Sequence, residues 1–221
     1  MTSPLLATDL RAVNGLAAGE LDRLWQLDSD QLLVAVYDIL PGMVDQWSLA
    51  ASAVAADWYD AEREAAEVAG AFQAIVEPIA ELGTEALIGW ATEPLRLDEP
   101  DPAAAKYRLL GGLQKRLANS ANYTITGSSA ADPQSRGWMR KTRPQACGFC
   151  LMVASRGAVY TEKTSTFACH ENCYCSAAPA WGGRALPVDP YTPSEITAEL
   201  SPQQRKALNR SANDWIKANL T

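Results

Sequence analysis

The sequence predicts a mainly α-helical protein, in which a helical N-terminal domain precedes a small α+β module and a last helix. Two observations support this fold class. Apolar residues recur at helical spacing from about residue 4 to residue 120, and all five cysteines and the only histidine of the 221-residue chain lie between Cys147 and Cys175. We therefore expect a helical N-terminal domain at 1–128, a Cys/His module at 129–183, and a linker with a C-terminal docking helix at 184–221.

The N-terminal domain is predicted to contain successive amphipathic helices. Thr8 or Asp9 is placed to cap the first helix, and Ser29 to cap the second. We expect a break at Pro41-Gly42, because proline cannot donate a helical hydrogen bond. A long helix should follow, with these apolar residues at spacings of four, three and four: Trp47, Ala51, Val54 and Trp58.

Proline and glycine mark the predicted connections. Three prolines between residues 93 and 102 indicate a connection ahead of a further helix, and the stretch 127–133 is typical of a linker into the cysteine-bearing module. Ser201-Pro202 has the cap and first-turn residues of a helix start. The last helix would carry one apolar face, formed by Leu208, Ala212, Trp215 and Ile216.

Charge is divided unevenly along the chain. Residues 1–100 contain 18 acidic and 4 basic side chains, a net charge of −14, whereas residues 101–221 contain 8 acidic and 15 basic side chains, a net charge of +7. Opposite potentials on two parts of one molecule favour head-to-tail self-association or contact with other charged surfaces. The alternative is that the acidic helices only increase solubility.

The N-terminal residues have neither a basic segment nor an apolar segment of the secretory kind, and no run approaches about 18 apolar residues. We therefore expect a soluble protein that is made in a cytoplasm and does not contact membranes. An odd number of clustered cysteines in a chain of this length favours metal binding over disulfides.

The Cys/His cluster predicts a structural Zn²⁺ site. Cys147 and Cys150 form a CxxC pair, and His170 with Cys173 or Cys175 supplies the second pair of a tetrahedral site. The fourth ligand remains open between the last two cysteines, and one cysteine, which we expect to be Cys169, is spare. A site with four protein ligands has no open position for substrate, so the module would be zinc-stapled and not enzymatic.

The zinc-stapled module should contain a small hairpin, with Gly157 to Tyr160 as a strand facing Tyr174 to Pro179. Three enzymatic alternatives are disfavoured. A zinc deaminase needs a histidine two residues before a glutamate and ahead of the CxxC, a thioredoxin-like site needs a preceding βαβ sheet, and a Cys/His nucleophile needs an orienting partner.

A basic and aromatic cluster lies just before the first CxxC. If exposed, it would contact nucleic-acid phosphates and bases, although an ordinary solvated helix face is the simpler interpretation. A zinc-dependent nucleic-acid-binding module is therefore the alternative function. The cluster consists of Arg136, Trp138, Arg140, Lys141 and Arg143.

Three segments around the cysteines resemble the Mu F-like minor head proteins of tailed bacteriophages, particularly the actinobacterial type. They are TRPQACGFC at 142–150, ASRGAVY at 154–160 and HENCYC at 170–175. The resemblance is dense over about residues 135–181. Elsewhere only the plan is shared, namely a helical region ahead of the Cys/His module.

The resemblance implies a minor capsid (minor head) protein of the bacteriophage virion, present in few copies, bound to the portal or the major capsid protein and needed for head morphogenesis or genome delivery. The location implied is the capsid interior or the portal vertex, after assembly in the host cytoplasm, and the basic C-terminal half would face packaged DNA or an acidic portal surface. The metal role carries over to the matching positions, which are Cys147, Cys150, His170, Cys173 and Cys175. Cys169 falls where the family pattern has no cysteine.

Overall fold

The structure of the chain is a computed structural model. It describes residues 6–76, 79, 81–142, 148–155, 157, 158, 160, 167, 175–181, 201, 203, 204, 210 and 214. The described part is mainly helical with a small two-stranded sheet, which confirms the predicted helical class.

Two helices form the first layer of the core. Helix α1 spans Leu6–Leu24 and helix α2 spans Ser29–Ala65. The cap of α2 is Asp28, one residue earlier than predicted, and its carboxylate accepts a hydrogen bond from the Gln31 N–H. The two helices are joined by the Trp47 indole, which donates to the Glu20 carboxylate at 2.7 Å.

The predicted break at Pro41-Gly42 is wrong, because α2 continues through it. Val36, Leu40 and Val44 lie at a spacing of four and are fully buried on both sides of the proline. Packing of this continuous apolar stripe outweighs the one helical hydrogen bond that proline cannot donate. The predicted apolar face further along α2 is confirmed, since Ala51 and Trp58 are buried.

Helix α3 at Thr84–Ala91 contacts α2, and a short 3-10 helix at Glu93–Arg96 follows it. Helix α4 follows at Pro102–Ala131, with Asp101 as its cap, so the connection predicted between residues 93 and 102 is confirmed. α4 packs against α2 and α3.

The linker predicted at 127–133 is wrong over its first part, because α4 continues to Ala131. Ser128 and Ser129 are buried, and the Ser128 hydroxyl accepts a hydrogen bond from the Ile75 N–H at 3.0 Å. Small polar residues that suggested a loop in fact allow close packing of the end of the helix. The division of the chain at residue 128 remains a prediction, although one buried cluster extends from α1 to the strands.

Strand β1 at Trp138–Lys141 pairs antiparallel with strand β2 at Ser176–Pro179, and helix α5 at Gly148–Ala154 lies between them in sequence. The predicted hairpin partner is therefore wrong. The strand that pairs with β2 is β1, whereas residues 157–160 were predicted to pair with it. Tyr160 instead forms a single β-bridge to Trp138 of β1.

Near the C-terminus the expected cap is confirmed. The Ser201 hydroxyl accepts from the Gln204 N–H at 3.3 Å, and the Gln204 side chain accepts from the Ser201 N–H at 2.9 Å, which is a capping box. The apolar face predicted for this helix lies outside the described residues. Among the helices that the structure describes, none is long and apolar enough to cross a membrane.

Candidate metal centre

Aromatic side chains form the interior of the Cys/His module. The Trp138 ring stacks on the Tyr160 ring with centroids 4.6 Å apart, and it lies 5.8 Å from the Phe167 ring. Trp138 is 2% exposed, because β1 alternates buried and outward positions and directs this residue inward. These ring contacts hold β1 against the part of the chain that follows α5.

Two of the predicted metal ligands are buried. Cys150 is in α5 and Cys175 immediately precedes β2, and both belong to the core cluster that extends from α1 to the strands. Thiolate sulfur is a preferred ligand of Zn²⁺, and structural zinc sites are closed to solvent. The burial and the chemistry of these two side chains therefore fit a structural zinc centre.

A buried arginine contacts one of the two sulfurs. Arg140 follows Trp138 on the inward face of β1 and is 5% exposed. Its Nη1 donates to Cys150 Sγ at 3.8 Å, and its guanidinium carbon lies 3.8 Å from the centroid of the Phe167 ring. A permanent positive charge thus lies beside the candidate centre.

Asn122 of α4 hydrogen-bonds to the backbone at Cys175 and at the start of β2. Its side-chain carbonyl accepts from the Ala177 N–H at 2.6 Å, and its amide donates to the carbonyls of Ala118 and Cys175 at 2.7 and 3.4 Å. β2 is therefore hydrogen-bonded to β1 on one edge and to this fully buried amide on the other. The contact fixes the backbone of Cys175 relative to the helical core.

A second polar contact ties the end of the module to the helices. Asp132 follows α4, and its Oδ2 accepts from Arg63 Nε at 3.0 Å, from the Tyr59 hydroxyl at 3.2 Å and from the Trp181 indole at 3.1 Å. The Arg63 guanidinium also donates to the carbonyls of residues 68, 69 and 70, which follow α2. Burial of this ion pair is compensated by a nearly complete set of hydrogen bonds.

The protonation of this network follows from its contacts. Burial by itself raises the pKa of the Asp132 carboxyl, but hydrogen bonds from the Gln134 N–H, Arg63 and Trp181 outweigh it and hold the pKa below its usual value. Burial, and then the nearby Asp132 charge, raise the pKa of the Tyr59 phenol well above its usual value. Tyr59 therefore remains a neutral donor to an ionised carboxylate.

The remaining predicted ligands, Cys147, His170 and Cys173, lie outside the described residues, as does Cys169. Within the described part of the chain, no group of three or more His, Cys, Asp or Glu side chains is placed to hold a metal ion. The ligand set, its fourth member and the spare cysteine therefore stay predictions.

The predicted nucleic-acid cluster does not form one exposed surface. Trp138 and Arg140 are buried, so the prediction that they contact bases or phosphates is wrong. The physical reason is that this segment is a strand, whose alternation turns every second side chain inward. Arg136 and Lys141 are exposed, the latter near Glu62 at 4.0 Å, and Arg143 lies outside the described residues.

Sequence reasoning missed Asn122, Arg63 and Asp132. A signal for Asn122 was present, because this polar residue shares the buried stripe of α4 with Ala118 and Ile125. No such signal marked Asp132 and Arg63, because their structural role depends on hydrogen bonds between parts of the chain that are distant in sequence.

A family model described as VG15 protein matches residues 5–201. No curated protein matches the chain. No solved structure matches it either.

Proposed function

The chain belongs to the VG15 family, a phage-associated family, and from this premise we propose that it is a non-enzymatic minor capsid protein that acts in head morphogenesis. The observation that carries the proposal is the family match, which extends over nearly the whole chain. The finer assignment, to the Mu F-like minor head proteins, rests on the motif resemblance within 135–181.

The proposal includes a structural zinc ion. Cys147, Cys150 and His170, with Cys173 or Cys175, would hold it, and the bound ion would supply folding free energy to the module and no catalytic step. Support comes from the burial of the Cys150 and Cys175 side chains, because structural zinc ligands are shielded from solvent. A centre closed by four protein ligands leaves no coordination position for a substrate, which favours a structural role over an enzymatic one.

The proposed partner is the portal or the major capsid protein, and the proposed location is the portal vertex or the inner capsid. Charge supports this arrangement, because residues 1–100 carry a net charge of −14 and would be repelled by packaged DNA. The basic C-terminal half would face DNA or an acidic portal surface. The same charge division favours head-to-tail self-association. The alternative of an independent nucleic-acid-binding module loses support because Trp138 and Arg140 are buried.

The direct test is co-expression of the tagged full-length chain with the portal and major capsid proteins of the same phage. We expect copurification with one of them, and we expect purified virions to contain the chain in a few copies. The control is a tagged unrelated helical protein of similar net charge, expressed with the same partners. Absence of the chain from purified virions, together with no copurification, would contradict the proposal.

Elemental mass spectrometry tests the metal separately. We expect one zinc per chain in the wild type, loss of zinc in Cys147→Ser, and retention in Cys169→Ser, in line with a four-ligand site. Comparison of Cys173→Ser with Cys175→Ser identifies the fourth ligand. A zinc-free, freshly reduced wild type would overturn the zinc site without affecting the capsid assignment.

A further inference from the structure

Arg140 occupies a position where a charged side chain is unexpected. It lies on the inward face of a four-residue strand, two residues after the buried Trp138, and only 5% of its surface is exposed. Its neighbour Lys141, on the outward face, has 54% of its side chain exposed. Burial of a guanidinium is unfavourable unless its charge and its N–H groups find partners, so its surroundings indicate what it does.

The surroundings of Arg140 come from separate parts of the module. The guanidinium carbon lies over the Phe167 ring, 3.8 Å from its centroid, and Nη1 donates to Cys150 Sγ in α5 at 3.8 Å. The ring contact is close enough for a cation–π interaction, and the sulfur contact is within hydrogen-bond range for this larger atom. One planar side chain thus fixes the sulfur of α5 relative to β1 and Phe167.

The chemistry of a zinc centre explains why a cation belongs there. A sulfur bound to Zn²⁺ is a thiolate, and a centre with three thiolates and one imidazole keeps a net negative charge after the ion is bound. Hydrogen bonds from neighbouring groups orient metal ligands and stabilise their charge. A buried guanidinium that donates to one ligand sulfur supplies both effects.

We propose that Arg140 is a positioning residue for the metal centre: it holds Cys150 Sγ in its ligating position and offsets the negative charge of the thiolates. This inference rests on the structural zinc site proposed above and names a residue outside the ligand set that controls how tightly the ion is kept. The role needs the planar, forked guanidinium, because a lysine ammonium cannot both stack on Phe167 and donate to the sulfur.

The experiment compares the full-length wild type with Arg140→Lys, Arg140→Met and the control Lys141→Met. Lys141→Met removes a positive charge from the adjacent residue on the opposite face of the same strand. For each protein we would measure zinc content by elemental mass spectrometry and the rate of zinc release to an excess of a chromogenic chelator. Far-UV circular dichroism would show whether the helical core is intact.

We expect zinc release from Arg140→Met to be at least about tenfold faster than from the wild type, because loss of such a supporting contact typically weakens metal binding about 10- to 100-fold. Arg140→Lys should lie between the two, and Lys141→Met should release zinc at the wild-type rate. With Co²⁺ in place of zinc, the sulfur-to-metal charge-transfer band should shift in both Arg140 variants and not in Lys141→Met.

The two proposals fail in different ways. A wild type that binds no zinc would overturn the zinc site and this inference with it. A zinc-loaded wild type whose folded Arg140 variants release the ion at the wild-type rate, with an unshifted cobalt spectrum, would overturn the role of Arg140 alone. If Arg140→Met does not fold, Arg140→Lys decides, because wild-type release from that charged variant would also contradict a role that needs the guanidinium.

Discussion

Asp132 joins three separate parts of the chain at one carboxylate. It accepts hydrogen bonds from Tyr59 and Arg63 of α2 and from Trp181 beyond β2. Its side chain is fully buried and that of Arg63 is 9% exposed. The contact therefore attaches the end of the Cys/His module to the helical core.

Substitution Asp132→Asn should lower the free energy of unfolding by about 3 kcal/mol or more, because it leaves the Arg63 charge buried without its counterion. Urea unfolding at neutral pH measures the change. The control is Asp22→Asn, which breaks the exposed pair between Lys106 and Asp22 and should cost less than about 1 kcal/mol. Equal effects of the two substitutions would contradict the assigned importance of the buried pair.

The same carboxyl makes stability depend on pH. Its pKa in the folded state is below the ordinary value of 3.8. The unfolded chain therefore binds the proton more readily, so the stabilisation is fully present above that value and is lost as pH falls through the folded pKa. We expect the wild type to lose more stability than Asp132→Asn between about pH 5 and pH 2, measured by urea unfolding at each pH. If the free energies of unfolding of the wild type and of Asp132→Asn changed in parallel with pH, the lowered pKa of Asp132 in the folded state would be contradicted.

Another prediction at the residue scale concerns Asn122. Asn122→Ala should destabilise the protein by about 1–3 kcal/mol, because the buried Ala177 N–H loses its acceptor. Urea unfolding measures the change in the free energy of unfolding. Asn14→Ala is the matched control, since the Asn14 amide donates to the Leu10 carbonyl within the same helix on a part-buried face. That variant should stay within about 0.5 kcal/mol of the wild type, and a comparable loss there would remove the special role of Asn122.

Helices α3 and α4 approach each other closely at Gly112. A Cβ added at Gly112 would lie 2.2 Å from Leu87 Cδ1, and Leu87 is 4% exposed. Gly112→Ala should therefore destabilise by about 1–3 kcal/mol, despite the better helix propensity of alanine. Thermal unfolding with and without Leu87→Ala measures the effect.

Two comparisons isolate the steric effect. Gly19→Ala has no heavy atom within 4 Å of the added carbon and should stabilise α1 by about 0.5–1 kcal/mol. In a Leu87→Ala background, Gly112→Ala should cost much less, because the clashing methyl groups are gone. If Gly112→Ala were equally destabilising in the Leu87→Ala variant, the contact with Leu87 would not be the cause of the destabilisation.

The elements also show what the sequence could and could not predict. Long helices such as α2 and α4 carry several turns of apolar spacing, so their existence was predictable. The continuation of α2 through Pro41 was not, because it depends on packing of Leu40 and Val44 against other elements. The pairing of β1 with β2 was missed because four-residue strands carry little pattern, and their register depends on distant partners.

At the scale of the whole molecule, the helical core and the Cys/His module should respond differently to metal removal. If zinc supplies much of the folding free energy of the module, excess chelator should remove hydrogen-exchange protection from β1 and β2 while α2 keeps its protection. Cys150→Ser should reproduce this pattern and Cys169→Ser should not. Loss of protection in α2 together with the strands would show that the ion does not act locally.

The candidate site was predictable from sequence only in its local part. The spacing of Cys147 and Cys150 and the nearby lone histidine marked the centre, because metal ligands cluster along the chain. The supporting residues Arg140, Asn122 and Asp132 were not identified in these roles. Arg140 was assigned to a solvent-exposed patch, because the inward direction of a short strand becomes evident only when its partner is known.

The position of β2 between β1 and Asn122 has a consequence for synthesis of the protein. The two hydrogen-bonding partners of β2 are β1 and Asn122, and both are translated before residues 176–179. During translation at roughly 5–20 residues per second, the helices leave the ribosome first, while Trp138 and Arg140 lack the strand that later packs beside them. We therefore expect ribosome-bound chains that stop before residue 176 to expose an apolar face that chaperones recognise, and full-length chains to conceal it.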